Sequence, residues 1–188
     1  MTKHIYLFLA LLIATLATGC AATPKREPRF VAWGEEVKLN DGRVVVVSQI
    51  RPCDPSATWL CDSRETFLTI NLPEFSPAPI VWHEHLDARV MNIHDGFLYV
   101  VGYPFTKGEW AKYGNPEPPW IGYRYQHGQW RRIPFNEIPR EIYETNLVIS
   151  LHDVGVKHVT LELKNSYAMN QSHIAYQRRI IPTHRFVP

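Results

Sequence analysis

Three glycine-containing turns, each set between apolar strand-like runs, constrain this chain more than any other feature. They are Asp41-Gly42, Asp95-Gly96 and His127-Gly128. Asp-Gly between alternating or continuous apolar runs is a strong hairpin signal. Around the first turn, Val37 and Leu39 alternate with polar residues, and Val44 to Val47 then runs apolar without a break. Four consecutive β-branched residues predict a central strand covered on both faces. Arg51-Pro52 ends it. The second turn joins Arg89–His94 to Phe97–Tyr103, and the third joins Trp120–Gln126, with Ile121, Tyr123 and Tyr125 on one side, to Gln129–Ile133. Thr66–Leu72 and Ile80–His83 are further strands, with prolines at 73, 77 and 79 between them. The expected fold is mainly β: an antiparallel meander of hairpins forming a twisted sheet, sandwich or open barrel. No repeat of fixed period appears, and one or two propeller-like blades cannot close a ring.

The C-terminal third is less regular. Asn136 can cap a helix over Glu137–Tyr143 with Pro139 in its first turn. Leu147–Ser150 is read as a strand, and Arg178–Ile181 as a returning one. Val159, Leu161 and Leu163 alternate as in a strand, yet Thr160 as cap with Leu163 and Tyr167 fits a helix equally well. Lys164, Ala168 and Met169 tilt the expectation for 159–170 towards helix. One or two short C-terminal helices are therefore expected. The Phe105–Pro119 stretch, with Gly108, Gly114, Pro116, Pro118 and Pro119, is read as a long loop, and such loops are often functional.

The first twenty residues set the address. Lys3 and the amino terminus precede an apolar run from Ile5 to Ala14, then small residues lead to Cys20. This is the layout of a secretory signal, and the run is shorter than the ~20 residues that span a bilayer. Ala17-Thr18-Gly19-Cys20 resembles the lipobox of bacterial lipoproteins, with Ala17 where Leu or Val is more usual. The resemblance implies cleavage before Cys20, a diacylglycerol thioether on its sulfur and an acyl chain such as palmitate on the new amino terminus. Several acyl chains together anchor firmly where one does not. Ala21, in place of the aspartate that retains such proteins in the inner membrane, points to the periplasmic face of the outer membrane. The organisation expected is a signal peptide (1–19), a lipid-anchored tether (20–29) and one β-rich domain (30–188). The tether carries two prolines and no large apolar side chain, and its nine residues from Ala21 to Arg29 reach at most ~30 Å.

A second resemblance rests on Tyr123-Arg124-Tyr125-Gln126-His127-Gly128-Gln129-Trp130-Arg131-Arg132-Ile133-Pro134-Phe135, with Ile138-Pro139 and Asn146-Leu147 following. This block is similar to a segment recurring in uncharacterised proteobacterial lipoproteins. It covers a minor part of the chain and implies no particular activity.

Removing 19 of 188 residues leaves 169, the size of one domain with a sizeable core. With Lys3 gone, 19 basic residues face 18 acidic ones. So even a balance gives no electrostatic footprint for nucleic acid. With Cys20 lipidated, Cys53 and Cys61 form an even pair in an oxidising compartment, and a disulfide is the expectation. A redox pair usually has closer spacing, and no second cysteine pair completes a zinc site.

Candidate sites are few. His83-Glu84-His85 places two imidazoles on one side of an extended chain, with His94, Asp95, His152 or Asp153 as conceivable third ligands. Glu35 and Glu36 are adjacent on a strand and point to opposite faces, so they cannot act as a carboxylate pair. There is no Gly-x-Ser-x-Gly elbow and no phosphate-cradling glycine run. No catalytic residue, cofactor or metal is therefore expected. Trp110, Tyr113 and Trp120 flank the Pro/Gly-rich stretch, where exposed rings can stack on a glycan or anchor a partner protein. The expected function is a lipid-anchored envelope protein with a binding or structural role and no enzymatic activity. The alternatives are a glycan- or metal-binding module using the 105–119 stretch or His83/His85, and a hydrolase. Membrane contact through the lipid and an envelope protein or glycan are the expected partners.

Overall fold

The computed structural model describes residues 29–53, 65–148, 156–165 and 179–186. The first sheet contains β1 (Arg29–Lys38), β2 (Val44–Cys53), β3 (Thr66–Ile70) and β4 (Ile80–Glu84), with the short β9 (His158–Val159) added in parallel beside β1. Its order is β4-β3-β2-β1-β9. The second sheet is the meander β5 (Asp87–His94), β6 (Phe97–Tyr103), β7 (Ile121–Gln126) and β8 (Gln129–Ile133), in chain order. The mainly β expectation holds, in its sandwich form.

The three turns lie where their dipeptides place them. In the second and third hairpins both central residues take positive φ, Asp95 at 48° with Gly96 at 75° and His127 at 52° with Gly128 at 79°. That is the I′ geometry whose twist matches the flanking strands. Only His85 and Leu86 separate β4 from β5. The chain changes sheets there, and Thr66 Oγ1 donates to the Leu86 carbonyl at 2.8 Å to hold the corner.

The two sheets pack face to face. Val47, Leu68, Ile70 and Trp82 of the first meet Met91, Leu98, Val100 and Ile121 of the second in one buried cluster. The far side of the second sheet is also covered. Val101, Tyr99 and Ile133 pack there against Ile138, Ile142 and Ile180 from the C-terminal turns. The second sheet is thus buried on both faces, and the first on one only. This corrects the reading of Val44–Val47 as doubly covered. Val47 is buried, but Val44 and Val46 point away from the sandwich, where none of the described elements lies over them. The strand is central in its sheet because it has neighbours on both edges, and a run of valines reports edge-wise neighbours no less than facewise cover.

Three further expectations change. Glu137–Tyr143 is not an α-helix but two 3-10 turns, Phe135–Glu137 and Arg140–Ile142. Pro139 separates them, and Ile138 before it is extended at ψ 119°, as the residue preceding a proline prefers. The 105–119 stretch contains a helix, α1 (Lys107–Lys112), so one of the two helices lies in mid-chain. Its signal was a capping box: Thr106 Oγ1 accepts from the Glu109 amide at 3.2 Å while Glu109 Oε2 accepts from the Thr106 amide at 3.0 Å. Leu147 and Val148 join no strand, and the Leu147 amide donates instead to the Arg89 carbonyl at 3.2 Å.

Both readings of 159–170 are partly right. Val159 ends β9, and Thr160 caps α2 (Leu161–Asn165), its Oγ1 accepting from the Leu163 amide at 3.1 Å. The returning strand reduces to one bridge between Glu144 and Arg179. The signal and Cys20, the tether up to residue 28, the Cys53–Cys61 pairing, His152, Asp153 and residues 166–170 lie outside the described residues.

Burial also fixes how the fold responds to alkali. Desolvation raises the Tyr123 hydroxyl far above its ordinary value of 10.0, with the charge of Glu84 adding to it. Tyr113 moves the same way through burial and its hydrogen bond to Glu84, and Tyr143 through burial. Unfolded tyrosines release protons near pH ~10 while these folded ones keep theirs. The native state then binds more protons than the unfolded one, so stability falls as pH rises. Urea unfolding is expected to be insensitive to these groups from pH 8 to about 9 and to weaken above pH ~10, and Tyr123→Phe should reduce that alkaline loss.

Candidate functional site

The three aromatic residues singled out in the sequence are each already engaged. The Trp120 ring is 2% exposed, and its Nε1 donates to the Ile181 carbonyl at 3.2 Å. It is core, because the C-terminal turns lie over the second sheet just where β7 begins. Trp110 is half-buried, stacked on Phe186 at 5.1 Å with its Nε1 donating to the Pro116 carbonyl at 3.0 Å. The Tyr113 hydroxyl donates to Glu84 Oε2 at 2.9 Å, and the Arg132 guanidinium lies 5.3 Å from its ring centre. These contacts weld the 105–119 segment to β4 and β8. They leave no row of open rings.

His83 and His85 are both exposed, and both approach Glu65. His83 Nε2 lies 2.6 Å from Glu65 Oε1 and His85 Nε2 3.9 Å from it. The His83 ring also stacks on Phe67 at 3.8 Å. His94 and Asp95 sit at the β5–β6 turn in a different sheet, 3.3 Å from one another. Among the described residues no group of three or more His, Cys, Asp or Glu side chains has the arrangement of a metal site.

The outer face of the first sheet carries most of the large apolar side chains that are exposed among the described residues. Phe30 is 60% exposed, Val44 50%, Val46 53%, Ile50 40% and Val81 51%. Strand alternation sets them on one face, interleaved with polar residues. Phe30 lies across from Pro52, Val44 from Lys38, Val46 from Glu36, Ile50 from Ala32 and Phe67, and Val81 from Thr69. Several large apolar side chains exposed on one sheet face mark a contact surface better than single residues scattered over the molecule do. The valine run and Ile50 were its sequence signal, masked by the assumption of double cover.

Two polar clusters inside the sandwich were not legible as sites. The first is centred on Glu35, which points inward while Glu36 points outward as expected. Glu35 is fully buried. Its carboxylate accepts from Trp33 Nε1 and Gln49 Nε2, each at 2.8 Å, from the Val148 amide at 3.1 Å and from Lys164 Nζ at 2.7 Å. Lys164 Nζ also donates to the carbonyls of Glu36 and Asn146. Every partner is a fixed donor, so the cluster reads as a clamp on the C-terminal segments.

The second cluster joins β2 to β5. Arg51 Nη1 donates to Asp87 Oδ1 at 2.6 Å, and Arg89 Nη2 approaches Asp87 Oδ2 at 3.4 Å. Arg89 stands at a β-bulge, where the β5–β6 register shifts between Ala88 and Val90. Bulges re-aim side chains and gather near functional sites. Burial pushes the Arg89 guanidinium below its ordinary value, against the pull of Asp87 and with the help of Arg51. Arg51-Pro52 reads in the sequence only as a strand end.

No helix among the described residues is long and apolar enough to cross a membrane. Compared with protein-family models, curated proteins and solved structures, the chain has no match.

Proposed function

We propose that the chain is a lipid-anchored protein of the bacterial envelope, held through Cys20 on the periplasmic face of the outer membrane, with a binding or structural role. The observation that carries this reading is the open apolar face of the first sheet, which starts at Phe30, the residue that follows the tether. Its occupant in this reading is the lipid surface to which Cys20 is fixed. Attachment through a segment of about ten residues gives an effective concentration in the millimolar range, so a face with only weak affinity for lipid stays docked. Burying one valine or isoleucine contributes about 1.5–3 kcal/mol, and several act together here. Glycan binding through Trp110, Tyr113 and Trp120 has less support, because Trp120 is core and the other two are partnered. A metal role for His83 and His85 has less support too, because among the described residues no group of three or more such side chains has the arrangement of a metal site.

Two measurements separate the anchor from the face. Cys20→Ser in the full chain is expected to leave the membrane fraction after a high-salt wash, and mass spectrometry of the wild type to find acyl chains on that residue. Retention of Cys20→Ser at wild-type levels, or an unmodified cysteine, overturns the anchor. The unacylated Cys20→Ser protein is expected to co-sediment weakly with phosphatidylethanolamine–phosphatidylglycerol vesicles, and Val46→Lys with Ile50→Lys to lose most of that binding. Equal sedimentation of both proteins discards the face while leaving the anchor standing.

A further inference from the structure

The Arg51–Asp87–Arg89 cluster holds more buried positive charge than negative. Two guanidinium groups share one carboxylate, and their side chains are 5%, 11% and 3% exposed for Arg51, Arg89 and Asp87. Among the described residues, Arg51 Nε, Arg51 Nη2 and Arg89 Nε are all buried without a hydrogen-bond partner. Buried charges and donors are ordinarily paired, so three unmade donors around one surplus charge mark a missing acceptor.

The geometry of the vacant donors says what that acceptor is. Arg51 spends Nη1 on Asp87, which leaves Nε and Nη2. Those two nitrogens form one edge of the guanidinium plane, the fork that takes two oxygens of a carboxylate or phosphate side by side. The flanks of the cluster are aromatic: Arg51 lies 5.9 Å from the Trp33 ring centre and Arg89 5.6 Å from that of Tyr103. Apolar walls lower the local dielectric and strengthen an ionic contact made between them.

We propose that Arg51 and Arg89 form a binding site for a small oxyanion, a carboxylate or phosphate group, with Asp87 as the residue that positions the two guanidiniums. A single negative charge brings the cluster to neutrality. The Nε–Nη2 edge of Arg51 grips two of its oxygens, and Arg89 Nε donates to the same group. The site is separate from the apolar outer face, and it does not depend on how the chain is anchored.

Thermal unfolding of the mature chain, at one ionic strength, in chloride, acetate or inorganic phosphate tests this. Acetate probes the carboxylate form of the ligand and phosphate the other. At least one of the two is expected to raise Tm saturably, by about 5 °C or more at a hundredfold excess over Kd. Arg89→Gln removes the surplus charge and one donor, and is expected to weaken the anion's apparent affinity at least ~10-fold. Arg51→Lys keeps the charge but not the fork and should weaken it comparably, which guards against either variant being misfolded. Phosphate also stabilises proteins by exclusion from their surface. A rise linear in concentration and equal in all three proteins has that origin and overturns the site. Identical Tm values in the three salts, the result expected if an acceptor of the chain itself fills the fork, overturn it too.

Discussion

Asp87→Asn is expected to cost about 3–5 kcal/mol of stability, the cost of removing one partner from a buried ion pair. Asp87 is the carboxylate placed between Arg51 and Arg89. Without it two buried guanidiniums face one another with no counter-charge. Arg51→Met should cost less, because Asp87 retains Arg89 as a partner and one set of unmade donors disappears with the guanidinium. Equilibrium urea unfolding of the three proteins gives the comparison. An Asp87→Asn loss under ~1 kcal/mol, or an Arg51→Met loss exceeding it, contradicts the charge imbalance from which the oxyanion site is argued.

The second large effect belongs to Glu35. Its substitution by alanine should also cost about 3–5 kcal/mol, since the fully buried carboxylate serves four donors and one of them is the Lys164 ammonium. The loss should be local in origin. Val148 and Lys164 bring segments of the chain's last third onto β1, and both depend on Glu35. Amide exchange around 146–148 and 161–165 is therefore expected to accelerate in Glu35→Ala before exchange in β6 does, because β6 is buried on both faces. The double variant Glu35→Gln, Lys164→Met removes both charges and should recover part of the loss, as apolar or neutral replacement of a buried pair generally does. If the double variant is no more stable than Glu35→Ala, the carboxylate matters for its amide and indole partners alone and the ion pair contributes little.

The two clusters differ in how they are satisfied. Around Glu35 all partners are present, with only the Gln49 Oε1 atom beside it left without one. Around Asp87, among the described residues, the acceptors run out before the donors do. The contrast is what separates a structural clamp from a site, and it is visible only with every atom placed.

How much could be read in advance follows from the range of the forces involved. Turn chemistry is local. Asp95-Gly96 and His127-Gly128 carry their φ preferences with them, so the hairpins, and with them the sheet-rich class, were legible from neighbours one or two residues apart. The cap at Thr160 and the break at Pro139 are equally local signals, the second dividing 137–143 into separate turns. The α1 helix was legible too, from Thr106 and Glu109, but the surrounding prolines and glycines outweighed it. The aromatic surface was misjudged because nothing near Trp120 announces that residues around Ile181 will cover it.

By itself, then, the sequence determined the mainly β class, the three hairpins and, as a proposal, the lipid anchor at Cys20, since each rests on contacts or recognition within a few residues. The tertiary structure alone decided which face of the valine strand stays open, that Trp120 is core, and that Arg51 meets Asp87 and Glu35 meets Lys164. Those pairs lie 36 and 129 residues apart along the chain. Their meeting depends on how two sheets stack, and stacking is set by the summed burial of many side chains rather than by any one residue's neighbours.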